Sequence, residues 1–133
     1  MNRRRSREQA FRFLFESEFE INKPTEILEN ATISDGIEPG DFSKKLFEGT
    51  LKNIDKIDKK IESNLKGWSK ERLSKVVLAI LRLACFEIIF DSDTPASVAI
   101  NEAVELAKKY ATSDESAYVN GVLGAVANKI VEE

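Results

Sequence analysis

The chain has 133 residues, of which 42% are hydrophobic and 32% are charged, and its net charge at pH 7 is −3. This composition is typical of one soluble folded domain and excludes collagen-like and disordered chains. A net negative charge argues against a protein that coats nucleic acid through its whole surface. We therefore expect a single domain over residues 1–133 with one hydrophobic core.

The residues that most catalytic and metal sites require are scarce. The chain has no histidine and one cysteine, Cys85, which lies in its most apolar stretch and is expected to pack there as an inert thiol. No metal-ligand spacing and no Gly-rich phosphate loop is present in the sequence, so we expect no enzyme activity and no cofactor. Residues 76–90 form the longest apolar stretch, which is too short to span a bilayer, and no secretory signal is recognised. These features predict a cytoplasmic protein.

Positive charge is concentrated at the N-terminus. Four arginines fall within residues 3–7, and Arg12 extends the basic run by about one helical turn. Cations are unfavourable at the positive end of a helix dipole, and these arginines also repel one another. Two interpretations remain open: a solvated, frayed terminus, or a site that a bound polyanion stabilises.

Residues 5–21 predict a first helix whose apolar side chains cover roughly 240° of its surface. A core-facing stripe is usually little more than about 100° wide. The edges of this aromatic arc are Phe13 and Phe19. Either neighbouring helices bury both flanks, or part of the arc binds another protein.

Turn residues divide the next part of the chain. Thr25 follows a Lys-Pro break and is expected to cap a short helix over residues 26–33. Asp41 is expected to cap one long amphipathic rod that Gly67 closes. Its outer face is expected to be solvated and to alternate lysines with carboxylates: Lys52, Lys56, Lys59, Lys60, Asp55, Asp58 and Glu62.

Residues 76–90 are apolar nearly all round, which predicts the central helix of the core. Ser69 is expected to cap the element that precedes it. The buried Arg82 then requires a carboxylate, for which Glu102 and Glu105 of the following helix are candidates.

The last two helices have clear start signals. Thr94-Pro95 is expected to begin one of them and Ser113 to cap the other. Gly121 and Gly124 lie inside the last helix, where glycine costs stability, so we expect them to allow close helix approach.

Four sequence blocks carry a resemblance that covers nearly the whole chain. They are residues 3–8 with Ala10 and Leu14-Phe15, residues 68–73 with 80–84 and Phe86-Glu87, residues 100–103, and residues 119–123. With these blocks the chain resembles the NusB family of transcription antitermination factors. The resemblance implies an all-α bundle of about seven helices in two subbundles with one continuous core. It also implies binding of single-stranded boxA RNA together with NusE, a small-subunit ribosomal protein, in the RNA polymerase antitermination complex for ribosomal RNA transcription.

The resemblance further implies two sets of site residues. The RNA-binding set is Arg3, Arg4, Arg5, Arg7, Tyr110, Asp114 and Tyr118. The NusE-binding set is Phe15, Phe19, Glu71, Arg72 and Val77. Arginines would contact phosphates and exposed tyrosines would stack on bases, although both tyrosines also fit core packing. Four phosphate contacts predict a log–log salt slope near −3, at roughly −0.7 per contact.

Val77-Leu78 departs from the charged residues of many relatives. An apolar pair there indicates a drier partner surface or self-association, so a homodimer stays open. A purely protein-binding helical adaptor without RNA specificity is the main alternative function. A NusB-like domain of an RNA cytosine methyltransferase is not expected, because the 133 residues include no segment that would bind a methyl donor.

Overall fold

The protein is described by a computed structural model that covers residues 2–36, 38–65 and 69–132. These ranges contain seven α-helices and no strand, which confirms the predicted all-α fold. The helices are α1 (Arg3–Ser17), α2 (Pro24–Asp35), α3 (Asp41–Lys52), α4 (Ile54–Glu62), α5 (Lys75–Phe90), α6 (Ala96–Tyr110) and α7 (Ser113–Glu132). A short 3₁₀ helix, Lys70–Arg72, precedes α5. Gly67, the predicted end of the rod, and Trp68 of the second sequence block lie outside the described residues.

Two groups of helices meet on α5. In one group α1 packs on α2 and α3, and α3 is followed by α4; in the other, α6 packs on α7. Helix α5 contacts members of both groups, and one continuous cluster of buried apolar side chains runs through the whole bundle. The apolar stretch at residues 76–90 is therefore the centre of the core, as the sequence predicts.

The start of α5 and its interior follow from local chemistry. The Ser74 hydroxyl accepts a hydrogen bond from the Val77 amide at 3.1 Å, which satisfies one of the free donors of the first turn. Ser69 begins the preceding 3₁₀ helix, but its side chain makes no capping hydrogen bond. Cys85 is fully buried, and burial raises the pKa of its thiol to about 12. The prediction of a packed, unreactive thiol is therefore consistent with its position.

The predicted single rod over residues 41–65 is wrong, because the chain breaks at Asn53 between α3 and α4. The Asn53 side chain donates to the Gly49 carbonyl at 2.8 Å, so the amide competes with the helical backbone pattern there. Gly40, and not Asp41, occupies the N-cap position of α3. The break turns α4 so that Asp58, which was expected on the solvated face, is buried.

Arg82 is paired differently from the prediction. Its Nε and Nη2 atoms each donate to Asp58 at 2.9 Å, and its Nη1 atom lies 3.8 Å from Glu18. Lys70 adds a second cation at 3.2 Å from Asp58. Glu102 instead faces the N-terminus of α1, which lies on another side of α5, so it is not available to Arg82.

Three predicted helix starts shift by one or two residues. Pro24, and not the residue after Thr25, is the first residue of α2, which fits the preference for proline in the first turn. Pro95 is the N-cap of α6 and not its first residue, so this helix begins one residue later than predicted. Thr112 and Glu115 form a reciprocal capping box with two hydrogen bonds of 3.1 Å, so Thr112 takes the role expected of Ser113.

The expected close approach at Gly121 and Gly124 is also wrong. A Cβ atom built at either position would have no neighbouring atom within 4 Å. The glycine that does require its missing side chain is Gly49 in α3, where a Cβ atom would overlap the Phe86 ring of α5. This contact sets how closely α3 and α5 approach.

Candidate RNA-binding surface and partner face

The arginine cluster lies on an ordered first turn of α1. The Asn2 side chain caps this helix by accepting from the Arg5 amide at 2.9 Å. The side chains of Arg3, Arg4 and Arg5 are all exposed. The Arg3 guanidinium lies 4.2 Å from the centroid of the Phe42 ring, a cation–π contact that limits its motion. Three positive groups are thus presented together from a helical turn.

Arg4 joins α1 to α6. Its Nε and Nη2 atoms donate to the two carboxylate oxygens of Glu102, each at 3.1 Å. The Arg4 side chain is 68% exposed and that of Glu102 is 18% exposed, so the pair lies at the solvent boundary. The hydrogen bond to Glu102 raises the pKa of the Arg4 guanidinium. The basic first turn of α1 is therefore fixed against the side of α6.

Arg7 is not part of the exposed cluster, and its predicted role as a phosphate contact needs correction. Its Nε atom donates to both carboxylate oxygens of Glu87, at 2.9 and 3.0 Å, and its side chain is only 6% exposed. The reason is helical periodicity, since Arg7 shares one face of α1 with the buried Ala10 and Leu14. Arg7 therefore anchors α1 to α5.

Tyr110 ends α6 beside α1. Its ring centroid lies 4.9 Å from that of Phe11, and its hydroxyl donates to Glu8 at 2.6 Å. Lys109 donates to the same Glu8 oxygen at 2.8 Å, and hydrogen bonds from Lys109 and Tyr110 lower the pKa of the Glu8 carboxyl. Although one side of the ring packs on Phe11, Tyr110 remains 38% exposed. The interpretation of Tyr110 as a core residue thus fits one side of its ring, and the interpretation as an exposed stacking residue fits the other side.

The sequence analysis did not identify two lysines of this surface. Lys108 and Lys109 are both exposed and line a shallow cavity of about 360 Å³ together with Arg4 and the carboxylates of Glu8 and Glu102. Their position beside Tyr110, in the last turn of an amphipathic helix, could have indicated that they belong to the same surface. The combined surface of the α1 start and the α6 end is hereafter called the basic surface.

Asp114 and Tyr118 lie in a different cavity. A groove of about 510 Å³ runs between the start of α5 and the start of α7, and Asp114 and Tyr118 line it with Arg72 and Val77. Within the described part of the chain, the buried Tyr118 hydroxyl has no hydrogen-bond partner, and burial raises its pKa. The structure therefore places two predicted RNA residues beside two predicted NusE residues.

The predicted partner residues share one side of the bundle but differ in exposure. Phe15 is half-buried and meets Phe19 edge to face at a centroid distance of 5.1 Å. Phe19 is 47% exposed because α1 ends at Ser17, before the predicted end of the helix. Glu71 and Arg72 are exposed on the 3₁₀ helix.

Burial decides between the two interpretations of the aromatic arc at one of its edges. Phe13 is 5% exposed and packs against Phe47, so that flank belongs to the core. Val77 is only 2% exposed and Leu78 is half-buried, so this pair does not form the open apolar surface that the sequence indicated. Phe19 is the part of the arc that remains available.

Metal-binding clusters and membrane-spanning helices are both absent from the described residues. No group of three or more histidine, cysteine, aspartate or glutamate side chains is arranged there to hold a metal ion. None of the helices in the same ranges has the length and apolarity needed to cross a membrane.

Comparisons with known proteins agree with the sequence blocks and the fold. The NusB family model matches residues 4–128. The transcription antitermination protein NusB of Clostridium novyi (strain NT) is 48% identical over 128 residues, which is 93% of this chain and 96% of that protein. The solved structure of T. maritima NusB gives a TM-score of 0.87 at 36% identity and covers 97% of this chain and 92% of that one.

A further similar structure contains partners. A chain in a crystal structure of antitermination factors NusB and NusE in complex with double-stranded RNA gives a TM-score of 0.85 at 30% identity, over 97% of this chain and 99% of that chain. The family match and the relatives extend over almost all of the sequence. The chain belongs to the NusB family of transcription antitermination factors.

Proposed function

We propose that this protein binds single-stranded boxA RNA together with NusE and acts as a non-enzymatic adaptor in the RNA polymerase antitermination complex for ribosomal RNA transcription. The observation that carries the proposal is the basic surface, where exposed arginines and lysines of two helices surround a half-exposed tyrosine. Cationic side chains beside an exposed aromatic ring are what single-stranded RNA requires, because phosphates bind the cations and unpaired bases stack on the ring. The similar structure of NusB and NusE in complex with double-stranded RNA supports NusE and RNA as partners, and single-stranded boxA is the finer part of the proposal.

Carboxylates hold the cations of the basic surface in the free protein. Glu102 binds Arg4, and Glu8 binds Lys109. A phosphate that takes the N–H groups now bound to these carboxylates must replace them, so the internal pairs compete with RNA for those donors. Exposed ion pairs are weak, and we expect Glu102→Gln to raise RNA affinity by no more than about fivefold. An affinity that falls in this variant would show that Glu102 positions Arg4 for RNA.

The number of phosphate contacts can be measured from salt dependence. With Arg7 buried, Arg3, Arg4 and Arg5 supply three contacts and a log–log slope near −2, at roughly −0.7 per contact; contacts from Lys108 and Lys109 as well would bring the slope to about −3.5. Fluorescence anisotropy with a labelled boxA-type strand across a salt series gives the slope directly. A slope near zero with unchanged affinity would leave the basic surface without a role in RNA binding.

A matched pair of variants locates the RNA site. Arg4→Glu with Arg5→Glu reverses two charges on the basic surface, whereas Lys52→Glu with Lys56→Glu makes the same charge change on exposed parts of α3 and α4. Lys52 lies ten residues beyond Phe42, about 15 Å along the helix from the end that contacts Arg3. We expect only the arginine variant to lose RNA binding. Equal effects of both variants would indicate a response to net charge alone.

The NusE face is proposed on the exposed side of Phe19 with Phe15, Glu71 and Arg72. Phe19 is an apolar side chain with 47% of its surface exposed, which fits a contact with another protein. We expect Phe19→Ala to weaken NusE binding at least tenfold while leaving RNA binding by the protein alone unchanged. Titration calorimetry with NusE tests this, and a Phe19→Ala variant that binds NusE normally would contradict the assignment.

A further inference from the structure

A second cleft lies on the partner side of the bundle, separate from the basic surface. Its volume is about 650 Å³, and it lies where the connection between α1 and α2 crosses α5. Glu18 lines it together with Lys75, Leu78 and Arg82 of α5, while Ile21 lies at its edge with 81% of its surface exposed. The cleft therefore combines an apolar rim with charged groups.

The Glu18 carboxylate is buried in this cleft without a complete set of partners. Its side chain is only 5% exposed, and its Oε2 atom accepts no hydrogen bond from the described residues. The Oε1 atom lies 3.8 Å from Arg82, which is longer than a hydrogen bond. A buried polar atom without a partner costs about 1–3 kcal/mol, and more when it is charged. Glu18 is thus an acceptor that the described residues leave unsatisfied.

The neighbouring cations are already engaged elsewhere. The guanidinium of Arg82 makes two hydrogen bonds of 2.9 Å to Asp58 of α4. The Lys75 ammonium lies 5.3 Å above the Phe19 ring and makes no described ion pair with Glu18. Two further carboxylates, Glu20 and Glu26, and one further cation, Lys23, line the same cleft, so its formal charges balance. The preference for a positively charged donor therefore comes from the buried Glu18 oxygen that accepts no hydrogen bond from the described residues.

We propose that the cleft receives a lysine or arginine side chain of NusE, whose N–H groups donate to Glu18. This inference rests on the proposed function, because it assigns a specificity-determining contact to the NusE face. Lys75 lines the cleft beside Glu18 and lies 5.3 Å from the centroid of the Phe19 ring, so the cleft and the exposed aromatic ring adjoin each other. A cation between them would satisfy the carboxylate and would bury its alkyl stem against the apolar rim.

The proposal predicts a pH dependence that follows from the groups around Glu18. Burial raises the pKa of the Glu18 carboxyl to about 7; Arg82 and Lys75 oppose this rise in pKa, and Asp58 adds to it. Only the ionised carboxylate forms the ion pair, so the fraction of binding-competent protein increases between pH 6 and pH 8. For a pKa of about 7 this increase corresponds to a gain in NusE affinity of up to about tenfold.

The test is calorimetric titration of the full-length protein with NusE at pH 6 and pH 8, without RNA. Glu18→Gln keeps the shape of the side chain but removes its charge, and Glu26→Gln makes the same change at an exposed position of the same cleft. We expect the unmodified protein and Glu26→Gln to bind up to about tenfold more tightly at pH 8. We expect Glu18→Gln to bind at least tenfold more weakly than the unmodified protein at pH 8 and to show no such gain.

The possible failures can be distinguished. NusE binding with the same affinity and pH profile in Glu18→Gln would overturn this assignment alone. No binding of NusE by the unmodified protein at either pH would overturn the proposed NusE interaction and this assignment with it. Thermal melts of both variants verify that a loss of binding reflects the contact and not the fold.

Discussion

Replacing Arg7 with methionine is expected to destabilise the protein strongly, although the residue belongs to an arginine cluster that resembles a surface site. The Arg7 and Glu87 side chains are 6% and 2% exposed and are joined by hydrogen bonds of 2.9 and 3.0 Å. Methionine preserves the apolar stem but leaves the buried Glu87 carboxylate without its cation. Removing one partner of a buried pair typically costs about 3–5 kcal/mol.

The expected change in melting temperature follows from the size of the chain. An unfolding entropy of about 2.1 cal/mol/K per residue gives roughly 0.3 kcal/mol per degree for a chain of this length. The loss of about 3–5 kcal/mol in the Arg7→Met variant therefore predicts a fall of roughly 10–18 °C in Tm. Arg5→Met makes the same change at an exposed position of the same turn and should move Tm by less than about 2 °C.

The assay is thermal unfolding followed by circular dichroism at 222 nm. A double variant, Arg7→Met with Glu87→Leu, removes both charges and is expected to recover most of the lost stability, because no uncompensated charge remains. A fall in Tm of less than about 3 °C for Arg7→Met would refute the role of this pair in joining α1 to α5. The result also bears on RNA measurements, since a charge reversal at Arg7 would abolish binding by unfolding the protein.

Three further predictions concern stability and reactivity. Gly49→Ala places a Cβ atom into the Phe86 ring and should lower the free energy of unfolding, measured by chemical denaturation, by about 1–3 kcal/mol. Gly121→Ala has no atom nearby and should raise that free energy by up to about 1 kcal/mol. The opposite order of stability would contradict the α3–α5 contact. Because burial raises the pKa of Glu18 from 4.5 to about 7, the folded state binds more protons than the unfolded state. The stabilisation that comes from protonated Glu18 is fully present below pH 4.5 and is lost as the pH rises. We expect the free energy of unfolding to fall by up to about 3 kcal/mol as pH rises to 7. Glu18→Gln should flatten that fall, and denaturant titrations that show the same slope in both proteins would contradict it. Cys85, whose thiol has a pKa of about 12, should resist a disulfide reagent at pH 8 in the folded protein and react once in urea; fast labelling without urea would contradict its burial.

Local sequence patterns predicted the helices well where one residue type dominates a segment. The continuous apolar stretch at residues 76–90 identified α5 as the centre of the core, because a helix that is apolar all round must be surrounded. The break at Asn53 was missed, although an asparagine whose side chain competes with the backbone provided a local signal. Helix boundaries therefore depended on hydrogen bonds that hydrophobic periodicity does not encode.

The candidate sites were predicted less completely, because their geometry depends on contacts between distant residues. The partner of Arg82 was misassigned, since its carboxylate, Asp58, comes from α4 and is one of many acidic residues in the sequence. The burial of Arg7 could have been predicted, because it lies three and seven residues before the core residues Ala10 and Leu14. No pattern in the sequence indicates that the side chain of Glu18, the C-cap of α1, is buried.

The central claim is that this protein recognises boxA RNA jointly with NusE. The most direct measurement is fluorescence anisotropy of a labelled single-stranded boxA-type RNA and a scrambled strand of equal composition, each with and without saturating NusE. We expect a higher affinity for the boxA-type strand than for the scrambled strand, and we expect this difference to increase when NusE is present. Equal affinity for both strands, unchanged by NusE, would contradict it and would leave a helical protein-binding adaptor.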